Sequence, residues 1–394
     1  MSAFSPETIL IVDDSAANLR LLTQMLTERG YRVRAVTSGQ RALDSIAVEL
    51  PGLILLDIRM KGMDGFEVCC RLKADPRSQD VPIIFISALT DTEDKLRAFQ
   101  AGGVDYVTKP FQVEEVMARI KTHLALRRLQ MRLEEANRKF TRELALASKV
   151  QCGFLPVELP QLTGWQMAAR LKPAREMSGD FYDLFGLPNG RIALVMADVV
   201  DKGVAAALFM ALSWSLIRTY AAEFPDEPAR VVTAVDQRLR QDAHADQFVT
   251  LFYGILDAAS GHLCYSNAGQ NPPLIVSGCG RKEWQKLVNT GPPLGILDDG
   301  RWAQREVTIC PGGILILYTD GITEAQNRQG DFYDPERLLL SAQRQSGLSA
   351  EEVAETILSD VSRFTGSQLQ LDDIALLIAT RLANGATVNA RTGE

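Results

Sequence analysis

Four aspartates of this chain stand where a buried strand is predicted to end or a turn to begin. They are widely separated in sequence: Asp180, Asp198, Asp320 and Asp372. Carboxylates at strand ends can meet at one point of a folded sheet, where they repel each other unless a cation neutralises them. Oxygen ligands with little histidine favour hard divalent ions such as Mg²⁺ and Mn²⁺. The group therefore predicts a metal-dependent hydrolase.

A second acidic group lies near the N-terminus. Asp13 and Asp14 follow the apolar run TILIV, and Asp57 follows LILL. Two further apolar runs end at Ser87 and near Lys109. Such runs alternate here with amphipathic helical segments, which predicts a parallel sheet covered on both faces. Functional side chains of these sheets gather beyond the carboxyl ends of the strands, so the five polar residues predict a switch.

Composition and charge argue against several classes of protein. A net charge of −7 without a long basic stripe argues against a nucleic-acid partner. We see no apolar run of the about 18–20 residues that span a bilayer, and no signal peptide, so no membrane partner is expected. The six cysteines lack the spacing of metal ligands or a disulfide framework. Reduced thiols and a cytoplasmic location are the expectation.

The 394 residues exceed what one hydrophobic core usually holds. Residues 1–122 are predicted to form an α/β domain with a doubly wound, flavodoxin-like parallel sheet, and residues 123–153 a helical linker. Residues 154–382 contain longer strand-like segments, such as FVTLFYGILD and GHLCYSNAG, joined by short turns that imply antiparallel pairing. Helical segments between them predict an α/β sandwich of two mainly antiparallel sheets flanked by helices. The polar tail, residues 383–394, is expected to be disordered.

The linker belongs to a helix predicted from about residue 112 to 153. Five of its apolar residues recur at alternating spacings of three and four: Leu126, Leu129, Leu133, Ala136 and Phe140. Glu143 interrupts the pattern, and Ala147 and Val150 continue its phase. This seam fits a short parallel coiled coil, and with it a homodimer. One helix that packs on its own domains fits as well.

The strings LIVDDS, LLDIRMKGMDG, FISA and DYVTKPF resemble the receiver domain of bacterial two-component response regulators. The resemblance implies that Asp57 accepts a phosphoryl group from a cognate histidine kinase. It also implies that Asp13, Asp14 and Asp57 bind Mg²⁺. The switch residues that it implies are Ser87, Tyr106 and Lys109, and Lys109 precedes a proline at a typical cis site. The alternative is a receiver-shaped dimerisation module that is never phosphorylated.

Eight ordered strings between residues 145 and 381 resemble metal-dependent protein serine/threonine phosphatases of the type-2C (PPM) class, in particular the SpoIIE branch. They are ASKVQCGFLP, MSGDFYD, ADVVDKGVAAALFM, FVTLFYGILD, YSNAGQNPP, GPPLGI, ILILYTDGITEA and LDDIALLI. The resemblance implies two Mn²⁺ or Mg²⁺ ions, with Asp198 bridging both. Asp180 and the Val199 carbonyl would hold one ion, and Asp320 and Asp372 the other.

Some positions depart from the family pattern. Val200 and Asp201 replace a usual Ser-Gly pair, Ser178 replaces a glycine, and Gln270 stands where a histidine is usual. Asp183 is expected near the metals, where it would orient water.

The leading hypothesis is a response regulator whose phosphorylation at Asp57 controls a metal-dependent phosphatase. Its substrate would be phosphoserine or phosphothreonine on a partner protein of the anti-sigma-factor antagonist type. Control would pass through a change of packing or register of the linker helix. The alternative is a phosphorylation-controlled adaptor that binds a sigma or anti-sigma factor through a non-catalytic phosphatase fold. The intact set of four acids favours catalysis.

Overall fold

The computed structural model describes residues 7–87, 92–110, 112–156, 158–242, 247–277, 284–343 and 348–383. The chain divides into two compact units, Met1–Phe140 and Thr141–Glu394. Of the predicted disordered tail, only Ala383 lies among the described residues.

The first unit is built on five parallel strands in the order β2-β1-β3-β4-β5. The strands are β1 Thr8–Val12, β2 Arg32–Val36, β3 Leu53–Asp57, β4 Ile83–Ser87 and β5 Asp105–Thr108. Four helices alternate with them: α1 Ala16–Thr27, α2 Gly39–Val48, α3 Gly65–Ala74 and α4 Thr92–Gln100. Separate hydrophobic clusters cover the two faces of the sheet, so β1, β3 and β4 are buried throughout. The predicted doubly wound parallel sheet is confirmed.

Helix α5, Val113–Cys152, runs for 40 residues and crosses the division between the units. Its first turns pack on the receiver-like sheet through Val116, Ile120 and Leu124, all buried. The following apolar residues are between 57% and 62% exposed: Leu126, Leu129, Leu133 and Phe140. The long helix is confirmed, and its pairing with a second copy stays a prediction.

The second unit contains two stacked antiparallel sheets, in the orders β13-β10-β9-β8-β7 and β12-β11-β14-β15-β6. The strands are β6 Trp165–Lys172, β7 Phe181–Gly186, β8 Ile192–Val199, β9 Val249–Asp257, β10 His262–Ala268, β11 Leu274–Val276, β12 Trp284–Lys286, β13 Arg305–Thr308, β14 Ile314–Tyr318 and β15 Ile374–Arg381. The helices are α6 Val204–Glu223, α7 Pro228–Asp242, α8 Asp320–Thr323, α9 Asp334–Gln343 and α10 Ala350–Thr365. One hydrophobic cluster lies between the sheets, and one lies under the helices on each side. The predicted sandwich is confirmed.

Helix α6 corrects one expectation about apolar runs. Its 20 residues are apolar enough, by length and composition alone, to cross a membrane. Phe209, Met210 and Ile217 on this helix are buried in the core against the sheet that contains β8. A helix that covers a sheet in a globular core has the same composition, so its hydropathy is explained by packing.

Candidate functional site

The carboxyl edge of the first sheet brings Asp13, Asp14 and Asp57 together, because β1 and β3 are parallel neighbours. One carboxylate oxygen from each residue lies within 4.8 Å of the others. The ammonium of Lys109, just beyond β5, donates to Asp13 Oδ2 and to Asp57 Oδ2 at 2.9 Å each. The peptide between Lys109 and Pro110 is cis, as the sequence predicted.

The lysine compensates much of the charge in this first site. Burial raises the pKa of Asp57, and the hydrogen bond from Lys109 opposes that rise. Burial alone would lower the pKa of Lys109, but its bonds to Asp57 and Asp13 hold the pKa above its usual value. Asp14 is exposed and accepts the backbone N–H of Lys61 at 3.3 Å.

The two predicted switch residues on β4 and β5 lie in neighbouring strands. Ser87 ends β4, is buried, and pairs in register with Thr108. Tyr106 is half-buried in β5, with the Lys95 ammonium 4.9 Å from its ring centroid and the Arg119 guanidinium at 5.7 Å. The structure thus places the predicted receiver residues at the carboxyl edge or beside it.

The four C-terminal acids come in pairs from neighbouring strands of the two stacked sheets. Asp180 immediately precedes β7, and Asp198 lies near the end of its partner strand β8. Asp320 opens α8 just after β14, and Asp372 shortly precedes the adjacent β15. Each sheet therefore contributes two acids at one end of the sandwich.

Electrostatic effects among these acids show that they converge. Burial raises the pKa of Asp180 well above its usual value, and the Asp198 carboxylate adds to that rise. Burial raises the pKa of Asp198 to about 6, with further contributions from the charges of Asp372 and Asp373. Burial, then Asp198 and Asp372, raise the pKa of Asp320 to about 7. No three of the four predicted acids have oxygens within 4.8 Å of one another, so this cluster is looser than the first site.

The donor atoms fit divalent cations. Asp180 is 2% exposed, and its Oδ2 has no hydrogen-bond partner, which is costly for a buried carboxylate without a cation. The Val199 carbonyl is approached closely by the backbone at Gly179, where a Cβ would lie 3.0 Å from the Val199 oxygen. Carboxylate and carbonyl oxygens are the ligands that Mg²⁺ and Mn²⁺ prefer.

Two residues beside Asp372 were given no role from the sequence. Lys202 places its Nζ 2.8 Å from Asp372 Oδ2 and 2.7 Å from the carbonyl oxygen of Leu371. Asp373 is buried and accepts two backbone N–H groups, from Ala174 at 2.7 Å and from Gly179 at 2.8 Å. These partners are remote in sequence, so spacing alone could not reveal them.

The departures from the family pattern have structural explanations. Asp201 adopts a φ of 75°, the left-handed region that favours glycine and that aspartate tolerates. Gln270 is buried, accepts a hydrogen bond from Thr250 and donates to the Tyr318 carbonyl at 3.4 Å. Since Thr250 pairs with Asp198 in register, Gln270 ties the two sheets together close to the acids.

Ser178 is held by the last turn of α5. The side chain of Gln151 donates to the Ser178 carbonyl at 2.5 Å and accepts the Ser178 N–H at 3.1 Å. Gln151 is buried, so both bonds are shielded from water. The end of the long helix is thereby joined to the segment that leads into Asp180.

The expectation that Asp183 orients water near the metals needs correction. Arg218 on α6 donates to both oxygens of Asp183, at 2.7 and 2.9 Å. The guanidinium lies 4.6 Å from the ring centroid of Phe185 and 4.7 Å from that of Trp214. Asp183 therefore fastens α6 to β7, because a bidentate partner already engages its whole carboxylate.

Comparison with known protein families gives one match in each of the two compact units. Residues 9–121 match the response regulator receiver domain, and residues 188–382 match the Stage II sporulation protein E (SpoIIE) family. Protein IcfG of Synechocystis sp. is 34% identical over 61% of this chain, which spans 41% of the length of that protein.

A second curated relative is the phosphoserine phosphatase RsbU of Bacillus subtilis. It is 28% identical over 66% of this chain and 74% of its own length. Among solved structures, the SiaA-PP2C domain of Pseudomonas aeruginosa aligns with a TM-score of 0.56 at 23% identity. That alignment covers 63% of this chain and 98% of the SiaA chain, and it shows a shared fold.

Proposed function

We propose that this chain, which joins a response regulator receiver domain to a SpoIIE-type (PPM) phosphatase domain, is a metal-dependent protein phosphatase under phosphorylation control. Its substrate would be phosphoserine or phosphothreonine on a partner protein. The functional parts are a receiver over residues 1–122, a linker over 123–153 and a phosphatase over 154–382. A cytoplasmic histidine kinase would phosphorylate Asp57.

One observation carries the catalytic part of the proposal. Four acids from two sheets converge, and burial and mutual charge raise the pKa of three of them: Asp180, Asp198 and Asp320. A binding adaptor has no need of such an arrangement, because clustered acids destabilise the fold unless a ligand compensates them. An unpartnered buried oxygen on Asp180 supports the same conclusion.

The residues would divide the work by position. Asp198 would bridge two Mn²⁺ or Mg²⁺ ions, Asp180 and the Val199 carbonyl would hold one of them, and Asp320 and Asp372 the other. Bound ions of this kind lower the pKa of water and offset the charge of a phosphate ester. Gln270 would keep the two sheets, and so the two pairs of acids, at a fixed separation.

The proposed substrate class follows from the relatives. RsbU is described as a phosphoserine phosphatase, and the alignment with it covers 66% of this chain and 74% of RsbU. We therefore propose an anti-sigma-factor antagonist-type phosphoprotein as the substrate. No DNA-binding motif was found in the sequence, so the output would be a change in protein phosphorylation.

Control would pass through α5. The helix begins in the first unit and ends at Cys152, and Gln151 in its last turn is bonded to the segment before Asp180. Phosphorylation at Asp57 would change the pairing or register of the exposed apolar seam on α5, and the seam would form a homodimer contact. A shift of the last turn would then move Asp180 relative to the other acids.

The test is hydrolysis of p-nitrophenyl phosphate and of a phosphoserine protein by the full chain with Mn²⁺. We compare wild type, Asp198→Asn and the control Asp257→Asn, with and without beryllofluoride; Asp257 ends β9, at the opposite end of that strand from Thr250, which pairs with Asp198. We expect Asp198→Asn to lose at least about 100-fold in rate because the bridging ligand is gone. Beryllofluoride should change the wild-type rate. Mn²⁺-independent binding of a partner with no turnover would replace this proposal with the adaptor.

A further inference from the structure

Asp373 lies between a proposed metal ligand, Asp372, and the start of β15. Its side chain is 3% exposed, and both of its oxygens are engaged by backbone N–H groups. Oδ1 accepts from Ala174 at 2.7 Å, and Oδ2 accepts from Gly179 at 2.8 Å. A buried carboxylate with two charge-assisted hydrogen bonds is a strong fixed contact.

These two bonds close the loop between β6 and β7. Ala174 and Gly179 are five residues apart, so one carboxylate holds the loop at both ends. Gly179 is followed directly by Asp180, which means that the second bond fixes the backbone beside a proposed ligand. Loss of the carboxylate would leave both amides without their described acceptor, and the loop would gain freedom.

The main chain of Asp373 contacts a third segment of the cluster. A Cβ on Gly321 would overlap the Asp373 carbonyl oxygen, so the backbones meet here only because residue 321 is glycine. Gly321 directly follows Asp320. One residue therefore touches the segments of Asp180 and Asp320 and is bonded covalently to Asp372.

We infer that Asp373 is a positioning residue that sets the separation of three metal-binding aspartates before any ion is bound. Like charges in one buried cluster repel each other, so the acids need another contact that keeps them together without a cation. Asp373 supplies it through a carboxylate whose two oxygens each accept a backbone N–H group. The inference rests on the proposed function, because it assigns metal binding to the acids.

The experiment measures metal affinity and local backbone protection separately. Mn²⁺ binding is followed by calorimetry in the full chain, with Asp14→Asn present throughout to weaken the receiver site, and hydrogen exchange at single-amide resolution is followed without metal. The variants are Asp373→Ala and the milder Asp373→Asn, which keeps one carbonyl acceptor and the side-chain volume. The matched control is Asp334→Asn, because Asp334 also accepts two backbone N–H groups, from Glu336 and Arg337, away from the cluster.

We expect Asp373→Ala to bind Mn²⁺ about 10–100-fold more weakly, the usual effect of losing a residue that orients metal ligands. Asp373→Asn should show a smaller loss, and Asp334→Asn none. In metal-free protein, the amides of Ala174 and Gly179 should exchange faster in both Asp373 variants. Asp372→Asn should weaken Mn²⁺ binding without changing the exchange of these two amides. This difference distinguishes a metal ligand from a positioning residue.

Unchanged Mn²⁺ affinity in both Asp373 variants would overturn the inference, even with faster exchange at the two amides. Unchanged exchange with lost affinity would also overturn it, because Asp373 would then act as a direct ligand. Wild-type protein that binds no Mn²⁺ at this site would instead contradict the proposed function. Asp373→Asn keeps the test decisive if the alanine variant does not fold.

Discussion

At the edge of the receiver sheet, one lysine bonds two of three clustered aspartates. In the phosphatase sandwich, Lys202 bonds a single one of the four aspartates. Lys109 lies 2.9 Å from both Asp13 and Asp57, whereas Lys202 forms an ion pair with Asp372 alone among the four acids. Burial with the neighbouring charges takes the pKa of Asp320 to about 7. The first site contains much of its counter-charge within the chain, and the second leaves it to a ligand.

This contrast fits the two proposed tasks. A receiver must stay folded while its phosphoryl group comes and goes, so a permanent ammonium beside Asp57 is useful in both states. A hydrolytic metal site needs several oxygens available to the ions at once. The proposed difference between the sites can be tested by changing pH, removing single charges or removing one contact.

The largest expected effect is on metal binding as a function of pH. With pKa values of about 6 for Asp198 and about 7 for Asp320, both groups are mostly protonated at pH 5.5 and mostly ionised at pH 7.5. An ion must displace those protons, so the Mn²⁺ affinity of the second site should be about 100-fold lower at pH 5.5 than at pH 7.5. Calorimetry in an Asp14→Asn variant, which weakens the receiver site, measures it. A flat profile would contradict the raised pKa values.

The next effect concerns stability without metal, where the two sites should respond with opposite sign. The folded-state pKa of Asp320 is raised, so its contribution favours folding at low pH and is lost as pH rises through about 7. At pH 8, Asp320→Asn should therefore stabilise the metal-free phosphatase unit, by about 1 kcal/mol since the group is partly exposed to solvent. At pH 5 the gain should be smaller, and it should vanish below about pH 4, where this carboxyl is protonated in the folded and the unfolded chain alike.

Removing an acid from the receiver site should do the reverse. Asp13 accepts hydrogen bonds from Ser15, Asn18 and Lys109, so Asp13→Asn should destabilise the receiver by about 1–3 kcal/mol. Urea unfolding of both variants in chelator, followed separately for the two units, measures the difference. Equal signs for Asp13→Asn and Asp320→Asn would remove the distinction between a compensated and an uncompensated site.

The smallest effect is expected at the end of α5. Gln151→Ala removes two buried hydrogen bonds to Ser178 but no charge and no proposed ligand. We expect a severalfold change in phosphatase rate and a weaker response to beryllofluoride, with p-nitrophenyl phosphate as substrate. Gln130→Ala, on the exposed face of the same helix, is the control. A full beryllofluoride response in Gln151→Ala would contradict coupling through this turn.

The sequence predicted the receiver better than the phosphatase, for physical reasons. Continuous apolar runs such as TILIV and IIFIS mark strands buried on both faces, and parallel strands place their carboxyl ends at one edge. In the second unit, the sequence pattern indicated central strands such as β9 and β14 but neither the three-residue strand β11 nor the edge strands β6, β7, β12 and β13. Edge strands mix polar and apolar residues because one side has no neighbour.

The acids themselves were identified by residue type and order, but their supports were not. Asp373 accepts N–H groups from residues 199 and 194 positions away, and Gln270 bonds Tyr318 at a separation of 48. Contacts of this kind depend on how two sheets pack. For Asp183 the sequence suggested a role that the structure does not support. Its place in MSGDFYD predicted a position near the metals, but both of its oxygens accept hydrogen bonds from Arg218.

The residue type at the position of Gly321 can be compared among related sequences. Any side chain at this position would overlap the Asp373 carbonyl oxygen, so the backbone beside Asp320 or beside Asp372 would have to shift. A relative that keeps every acid but carries alanine or serine here is therefore expected to be a pseudophosphatase.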